Sequence, residues 1–380
     1  NNHDTIFYLI CSNIKDFKFI NEIFGMEKGN QVLLKQAKLM SSNPSERTIC
    51  ARLMNDRFAL CLPREEFDEK RVADSIKELR REFSGNSFHL HTYMGVYEIR
   101  DRDEAVSIMV DKANIAADTI KNNYDCCVAY YDEHLLEISI EQRRLLGEFE
   151  PALQKDEFAM YLQPQVNRDG VASGAEALVR WVHPSRGILT PYAFIDILEN
   201  AGLIYKLDLY IWEKAAQKLV EWKEKGYGSY HISVNISTKD FYIIDIYETF
   251  TGLINKYDIS ASNLHLEITE TTLMTDFEKN MNIIHKLQGV GFRVEIDDFG
   301  SGYSSLNMLK DISADVLKID MGFLRKSENE VKGQDILESI IALAGKIGMD
   351  VITEGVGILA KEEAKLITEV QAEAVPLPAQ

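Results

Sequence analysis

Basic residues are in short supply in this chain. It carries 42 Lys and Arg against 60 Asp and Glu, a formal net charge of −18 over 380 residues. That deficit excludes a general nucleic-acid binder, which needs clustered Lys and Arg to neutralise a phosphate backbone. It leaves open a small anionic ligand held through metal ions. Cysteine is scarce as well: the five, Cys11, Cys50, Cys61, Cys126 and Cys127, lie in the first third of the chain with no C-x-x-C pair. Free thiols in a reducing compartment fit this pattern better than disulfides or zinc ligands. No stretch has the length and apolarity of a membrane span, and the amino terminus lacks the basic-then-apolar layout of a signal peptide. The cytoplasm is the expected setting. Because the first residue is not Met, the chain reads as part of something longer, with room for an upstream sensor or membrane anchor.

What is present suits an ordinary globular protein. Hydrophobic residues make up 46% and charged residues 27%, enough for a core, and the length suggests two domains. The first segment mixes strand-like runs (6–11, 58–62, 90–96, 128–131) with helical patterns (30–40, 67–81, 105–121) and reads as an α+β domain over 1–132. Over 133–154 the apolar residues Leu135, Ile138, Leu145, Phe149 and Leu153 recur at helical spacing, as in a helical linker. From 155 to 380 apolar strand patterns (158–163, 174–181, 231–236, 264–268, 293–297, 316–319, 350–352) alternate with helix-length segments (207–225, 243–257, 277–289, 335–348). Repeated strand-then-helix units indicate a parallel sheet covered by helices, and this many favour a TIM-barrel-like (β/α)₈ domain. An open doubly wound sheet would be supported by a G-x-G-x-x-G between strand and helix, and none stands in such a position.

In a barrel of this kind the functional face is made by the carboxyl ends of the strands. Polar residues interrupt the apolar runs there: Glu176, Asn235, Glu267, the adjacent Asp297 and Asp298, Lys318 and Glu354. Each alone has a plain explanation. Asp297 and Asp298 fit a turn, Glu176 and Arg180 a surface ion pair, Asn235 a strand-end cap, and Glu354 a helix start. Together they form a cluster of five carboxylates that needs cations to stay ionised in one pocket. Two divalent metals sharing Asp297, Mg²⁺ or Mn²⁺ by the hardness of the ligands, would make a centre suited to in-line attack on a phosphate ester. Asn235 adds a neutral oxygen, Lys318 a group to orient or deprotonate water or to stabilise phosphoryl charge, and Arg180 a phosphate fork.

These motifs resemble those of the EAL-domain cyclic-di-GMP phosphodiesterases. The pattern E-x-L-x-R is Glu176 to Arg180, the first barrel strand carries Tyr161-Leu162-Gln163-Pro164, and D-D-F-G-[ST]-G-Y-S-S-L runs unbroken from Asp297 to Leu306. The resemblance implies that Glu176, Asn235, Glu267 and Asp297 hold one metal, that Asp298 and Glu354 help hold the second, and that Lys318 positions the hydrolytic water. It further implies that Glu270 anchors the loop after Asp298, that Gln163 and Arg180 contact the dinucleotide, and that the product is linear pGpG. A homodimer is expected from the same resemblance. The chain departs from the family beyond Glu354-Gly355-Val356, where Gly357 follows and no Q-G-Y is recognisable before the end.

The first domain is similar to the GGDEF diguanylate cyclases in Phe17-Lys18, Asn21, Phe24-Gly25, Gly29, Ala51-Arg52 and Phe58-Ala59-Leu60. Its signature loop reads Met54-Asn55-Asp56-Arg57-Phe58, without the two glycines, and the D-x-D at the first strand reads Asn13-Ile14-Lys15. Loss of those metal carboxylates implies a degenerate, regulatory or dimerising domain, with Lys15 placed to pair with Asp56. A non-catalytic cyclic-di-GMP receptor is the alternative to the enzyme, and a purely structural or protein-interaction role is a third reading.

Overall fold

Apolar alternation in the strands builds two separate sheets. The computed structural model describes residues 5–15, 17–41, 45–83, 90–123, 126–167, 171–299, 312–319 and 339–353, without the side chains of Phe19, Ile23, Asp298 and Thr353. The chain divides into two compact units, Asn1–Arg144 and Leu145–Gln380.

In the first unit β1 (Phe7–Ile14) is the central strand of a five-stranded sheet ordered β2-β3-β1-β4-β5. It runs antiparallel to β3 (Phe58–Pro63) and β4 (Thr92–Ile99), β2 (Ile49–Arg52) forms the edge beside β3, and β5 (Val128–Tyr130) lies parallel to β4. Alternate residues of β1 serve opposite faces, as the two-residue period requires. Tyr8, Ile10 and Ile14 join the core that also contains Ile20, Val32 and Leu33 of α1 (Phe17–Met40) and Ile76 and Leu79 of α2 (Glu69–Phe83). Leu9 and Cys11 face Met109 and Ala113 of α3 (Val106–Thr119). Gly95 is what lets α3 lie on β4: a Cβ there would stand 1.8 Å from the Ala113 carbonyl oxygen and 2.5 Å from the Ala117 nitrogen. The helix pattern read at 30–40 extends back to Phe17 across a non-helical residue, Gly25.

The second unit begins in α4 (Glu133–Gln154), whose Leu145, Phe149 and Ala152 are buried in its core. There follow β6 (Phe158–Val166), β7 (Ala172–His183), β8 (Gly187–Leu189), α5 (Ile195–Ala201), α6 (Ile204–Glu224) and β9 (His231–Ile236). Next come α7 (Asp240–Ile243), α8 (Ile246–Tyr257), β10 (Leu264–Thr269), α9 (Glu270–Thr275), α10 (Phe277–Val290), β11 (Arg293–Phe299), β12 (Val316–Ile319) and β13 (Asp350–Thr353). The sheet runs β13-β12-β11-β10-β9-β7-β6, with β8 beside β7. From β7 through β13 each neighbouring pair on this path is parallel, as expected for a (β/α)₈-type unit. The first strand departs from the regular repeat: β6 is antiparallel to β7. The short link between them explains this, since a parallel connection needs a crossover of a dozen or more residues.

Candidate active site

The barrel strands are apolar on one side and polar on the other. Ile232, Val234, Ile236, Leu264, Leu266, Ile268, Val294 and Ile296 are buried in the unit's hydrophobic core. The intervening residues, His231, Ser233 and Asn235 on β9, His265, Glu267 and Thr269 on β10, and Glu295 and Asp297 on β11, share the opposite face. The ladder sets Asn235 opposite Glu267, Glu267 opposite Glu295, Thr269 opposite Asp297, and Glu176 opposite both Ser233 and Gln163. Parallel register therefore stacks the polar residues in tiers along the strand direction.

The upper tier converges on one lysine. Lys318 Nζ of β12 lies 2.9 Å from Glu176 Oε2, 3.0 Å from Glu267 Oε1 and 3.3 Å from Asp297 Oδ1. Asn235 Nδ2 donates to Glu176 Oε1 at 3.4 Å, and the indole of Trp212 on α6 pins the end of β9 by donating to the Asn235 carbonyl at 3.0 Å. Five strands thus deliver side chains to one place. Lys318 is 1% exposed and Glu267 0%. Burial works against the ammonium of Lys318, but Glu267, Glu176 and Asp297 raise its pKa overall. Burial, with Glu176, Glu295 and Asp297 nearby, raises the Glu267 pKa despite the opposing pull of Lys318.

This arrangement fits a divalent cation. Three carboxylates share one ammonium, and neither Glu267 oxygen has a hydrogen-bond donor beyond the Lys318 ion pair among the described residues. A hard cation would supply the missing positive charge and satisfy those oxygens.

The other residues read from the sequence fall into three groups. Glu270 opens α9 directly after β10, where the Thr269 side chain caps the helix by accepting from the Thr272 amide. Gln163 and Arg180 lie on the β6–β7 pair: Gln163 is exposed, and Arg180 Nη1 donates to the Val179 carbonyl at 2.8 Å with its guanidinium 5.8 Å from the Tyr161 ring. Glu176 bonds Lys318 and Asn235, a different partnership from the Arg180 ion pair considered above. The Asp298 side chain, Glu354 and the whole segment after 353 lie outside the described residues.

A lower tier went unread in the sequence. His265 Nδ1 and Glu295 Oε1 are 2.6 Å apart, and Ser233 Oγ donates to the same oxygen at 3.1 Å. His231 stacks on His265 with centroids 3.8 Å apart, and its Nε2 lies 2.7 Å from Gln165 Oε1. Burial alone would raise the Glu295 pKa; the hydrogen bond and charge of His265 outweigh it and lower the group to about 2. Burial, then the neighbouring His265, lowers His231 to about 4. The available signal was the polar residue at every second position, His231-x-Ser233-x-Asn235 and His265-x-Glu267-x-Thr269, in strands whose other positions are apolar.

In the first unit the signature loop is a tight turn between β2 and β3. Leu53 N donates to Arg57 O and Arg57 N to Met54 O, both at 2.9 Å, with Asn55 at φ 54° in the left-handed region that Asn tolerates. Asp56 Oδ2 accepts from the Ile14 amide at 3.1 Å, so this carboxylate is engaged by backbone at the end of β1.

Comparison with known proteins agrees with this division. The family model described as EAL domain matches residues 147–375, and that described as diguanylate cyclase, GGDEF domain, matches residues 1–125. The Pseudomonas aeruginosa protein named bifunctional diguanylate cyclase/cyclic di-GMP phosphodiesterase MucR is 29% identical over 370 residues, covering 95% of this chain and 53% of that protein. The Escherichia coli cyclic di-GMP phosphodiesterase PdeR is 26% identical over 370 residues, covering 96% of this chain and 55% of that protein. The chain spans about half the length of these curated relatives. Among solved structures, the PaMucR phosphodiesterase in complex with c-di-GMP is 32% identical with a TM-score of 0.54, covering 59% of this chain and 92% of that one. Vibrio cholerae LapD S helix-GGDEF-EAL, bound to c-di-GMP, shares the fold at 16% identity with a TM-score of 0.57, covering 98% of this chain and 88% of that one. Since the larger family match runs through every strand that supplies the cluster, the chain belongs to the EAL-domain family.

Proposed function

We propose that this protein is a cyclic-di-GMP phosphodiesterase that hydrolyses its substrate to linear pGpG with two divalent cations, Mg²⁺ or Mn²⁺. The observation that carries the proposal is the convergence of Glu176, Glu267 and Asp297 on the buried Lys318 at the strand ends. Glu176, Asn235, Glu267 and Asp297 would hold the first cation, and Asp298 and Glu354 would complete the second site. When bound, the cations neutralise phosphodiester charge and make water more acidic. Lys318, as an ammonium among carboxylates, orients the attacking water and donates to phosphoryl oxygen; it does not serve as the base. Gln163 and Arg180 contact the dinucleotide, the Arg180 fork suiting phosphate oxygens. Glu270, at the start of α9, anchors the loop after Asp298.

In this proposal residues 1–132 form a GGDEF-like domain without cyclase activity that serves regulation or dimerisation, 133–154 a helical linker, and 155–380 the catalytic domain. The replaced Asn13-Ile14-Lys15 and the engagement of Asp56 by the Ile14 amide support that assignment. The protein acts in the cytoplasm as a homodimer. No helix among the described residues is long and apolar enough to cross a membrane. The deciding experiment incubates the chain with cyclic di-GMP and Mg²⁺ or Mn²⁺ and assays pGpG, with Asp297→Ala as control. Product that depends on Asp297 supports the enzyme; binding without product leaves a receptor.

A further inference from the structure

The lower tier has the composition of a metal site but the geometry of something else. His231, His265 and Glu295 place ligand-type atoms within 4.8 Å of one another. The two imidazole planes, however, are 6° from parallel at a 3.8 Å centroid separation. Nitrogen lone pairs lie in the ring plane, so parallel stacked rings direct them along separate planes and not onto one tetrahedral centre. The donors are also engaged within the protein: His231 with Gln165 and the Ser173 backbone, His265 with Glu295. Gly174 makes the space for this, since a Cβ there would stand 2.6 Å from the His231 ring.

The consequence falls on the tier above. Glu295 is directly across the β10–β11 ladder from Glu267, and both are 0% exposed. His265 precedes Glu267 by two residues on the same face of β10, so it is a natural partner for either carboxylate. In this structure it is taken by Glu295, at 2.6 Å, and Ser233 Oγ adds to the same oxygen at 3.1 Å. Glu267 meets Lys318 at 3.0 Å, and its side chain is hydrogen-bonded to that of Glu295 below it.

We propose that Glu295 is a positioning residue for the cation site: by occupying His265 and Ser233 it keeps the His265 donor off Glu267, whose carboxylate stays available to the cation. This rests on the reading of Glu176, Asn235, Glu267 and Asp297 as cation ligands. Without Glu295, His265 becomes the hydrogen-bond partner of Glu267, and the ligand turns away from the mouth.

Mn²⁺ titration of the full chain without substrate, followed by electron paramagnetic resonance, tests the proposal. Glu295→Ala weakens Mn²⁺ binding on the order of 10–100-fold, the size expected when a partner that orients a metal ligand is removed. Glu295→Gln keeps an acceptor for His265 without the charge and weakens binding by a smaller, several-fold factor. Adding His265→Leu to Glu295→Ala recovers most of the lost affinity, because the competing donor is gone; loss of packing alone would worsen in the double variant. Unchanged affinity in Glu295→Ala, or a double variant no better than the single, overturns the proposal. If Glu295→Ala does not fold, unchanged affinity in Glu295→Gln overturns it instead. Failure of the unsubstituted chain to bind Mn²⁺ overturns the cation-site reading itself, which separates the two failures.

Discussion

In the first unit Lys15 follows the end of β1 and the nearby Asp56 accepts from a backbone amide, whereas in the second Lys318 lies within β12 and draws three carboxylates from three other strands. In both units the family resemblance places metal ligands close to these residues. The difference is one of convergence. A single acid that finds a backbone donor is satisfied and has no need of a cation. Three carboxylates around one buried ammonium remain short of positive charge, and Glu267, itself buried, cannot make up the deficit with water.

The sharpest way to break this contrast is to remove the converging carboxylates. Asp297→Ala or Glu267→Ala abolishes pGpG formation, read by chromatography of the products, and Lys318→Met lowers kcat by about 10²–10³-fold, the scale for loss of one charge-stabilising donor. Lys318→Met also leaves buried carboxylates without their ammonium. Its melting temperature without metal falls by the equivalent of about 3–5 kcal/mol, and Mn²⁺ restores much of the difference; an unrecovered loss would show that the lysine is purely structural.

The lower tier yields a pH dependence peculiar to the second unit. Folded His231 titrates at about 4 and its unfolded reference is 6.5. Between those values the unfolded chain binds a proton that the folded chain does not, so stability is complete above the unfolded value and declines as pH falls toward the folded one. The loss is on the order of 3 kcal/mol, measured by denaturant titration of the second unit's transition; His231→Gln flattens the profile. A smaller effect separates the two units. Gly95→Val forces α3 off β4 and destabilises the first unit by about 1–3 kcal/mol, and the expected melt shows that transition lowered with the second unchanged. The smallest expected effect is none: incubation with GTP and Mg²⁺ yields no cyclic di-GMP, and Asp56→Ala does not alter that result.

Much of this arrangement was legible from pattern. The strand runs at 231–236 and 316–319 match β9 and β12 residue for residue, because β-branched and other apolar residues there recur with the two-residue period of a strand. Strand β2 was not legible, since all four of its residues are exposed and carry no alternation. The antiparallel direction of β6 was missed because an apolar run has no polarity of direction; only the length of its link to β7 does. Glu295 is not legible as a site residue, because it is interior to a strand and its partners, His265 and Ser233, come from other strands.

The amino-acid sequence by itself determined the two-part organisation, the strand–helix repeat and the residues at the strand ends, since these follow from local periodicity and from polar interruptions of apolar runs. Tertiary structure decided which of those residues meet. Parallel register brings Glu176 and Lys318, 142 positions apart, to 2.9 Å, and the same register sets Glu295 across the ladder from Glu267. Burial then turns proximity into chemistry, because away from water each unpaired charge must find a partner or a cation.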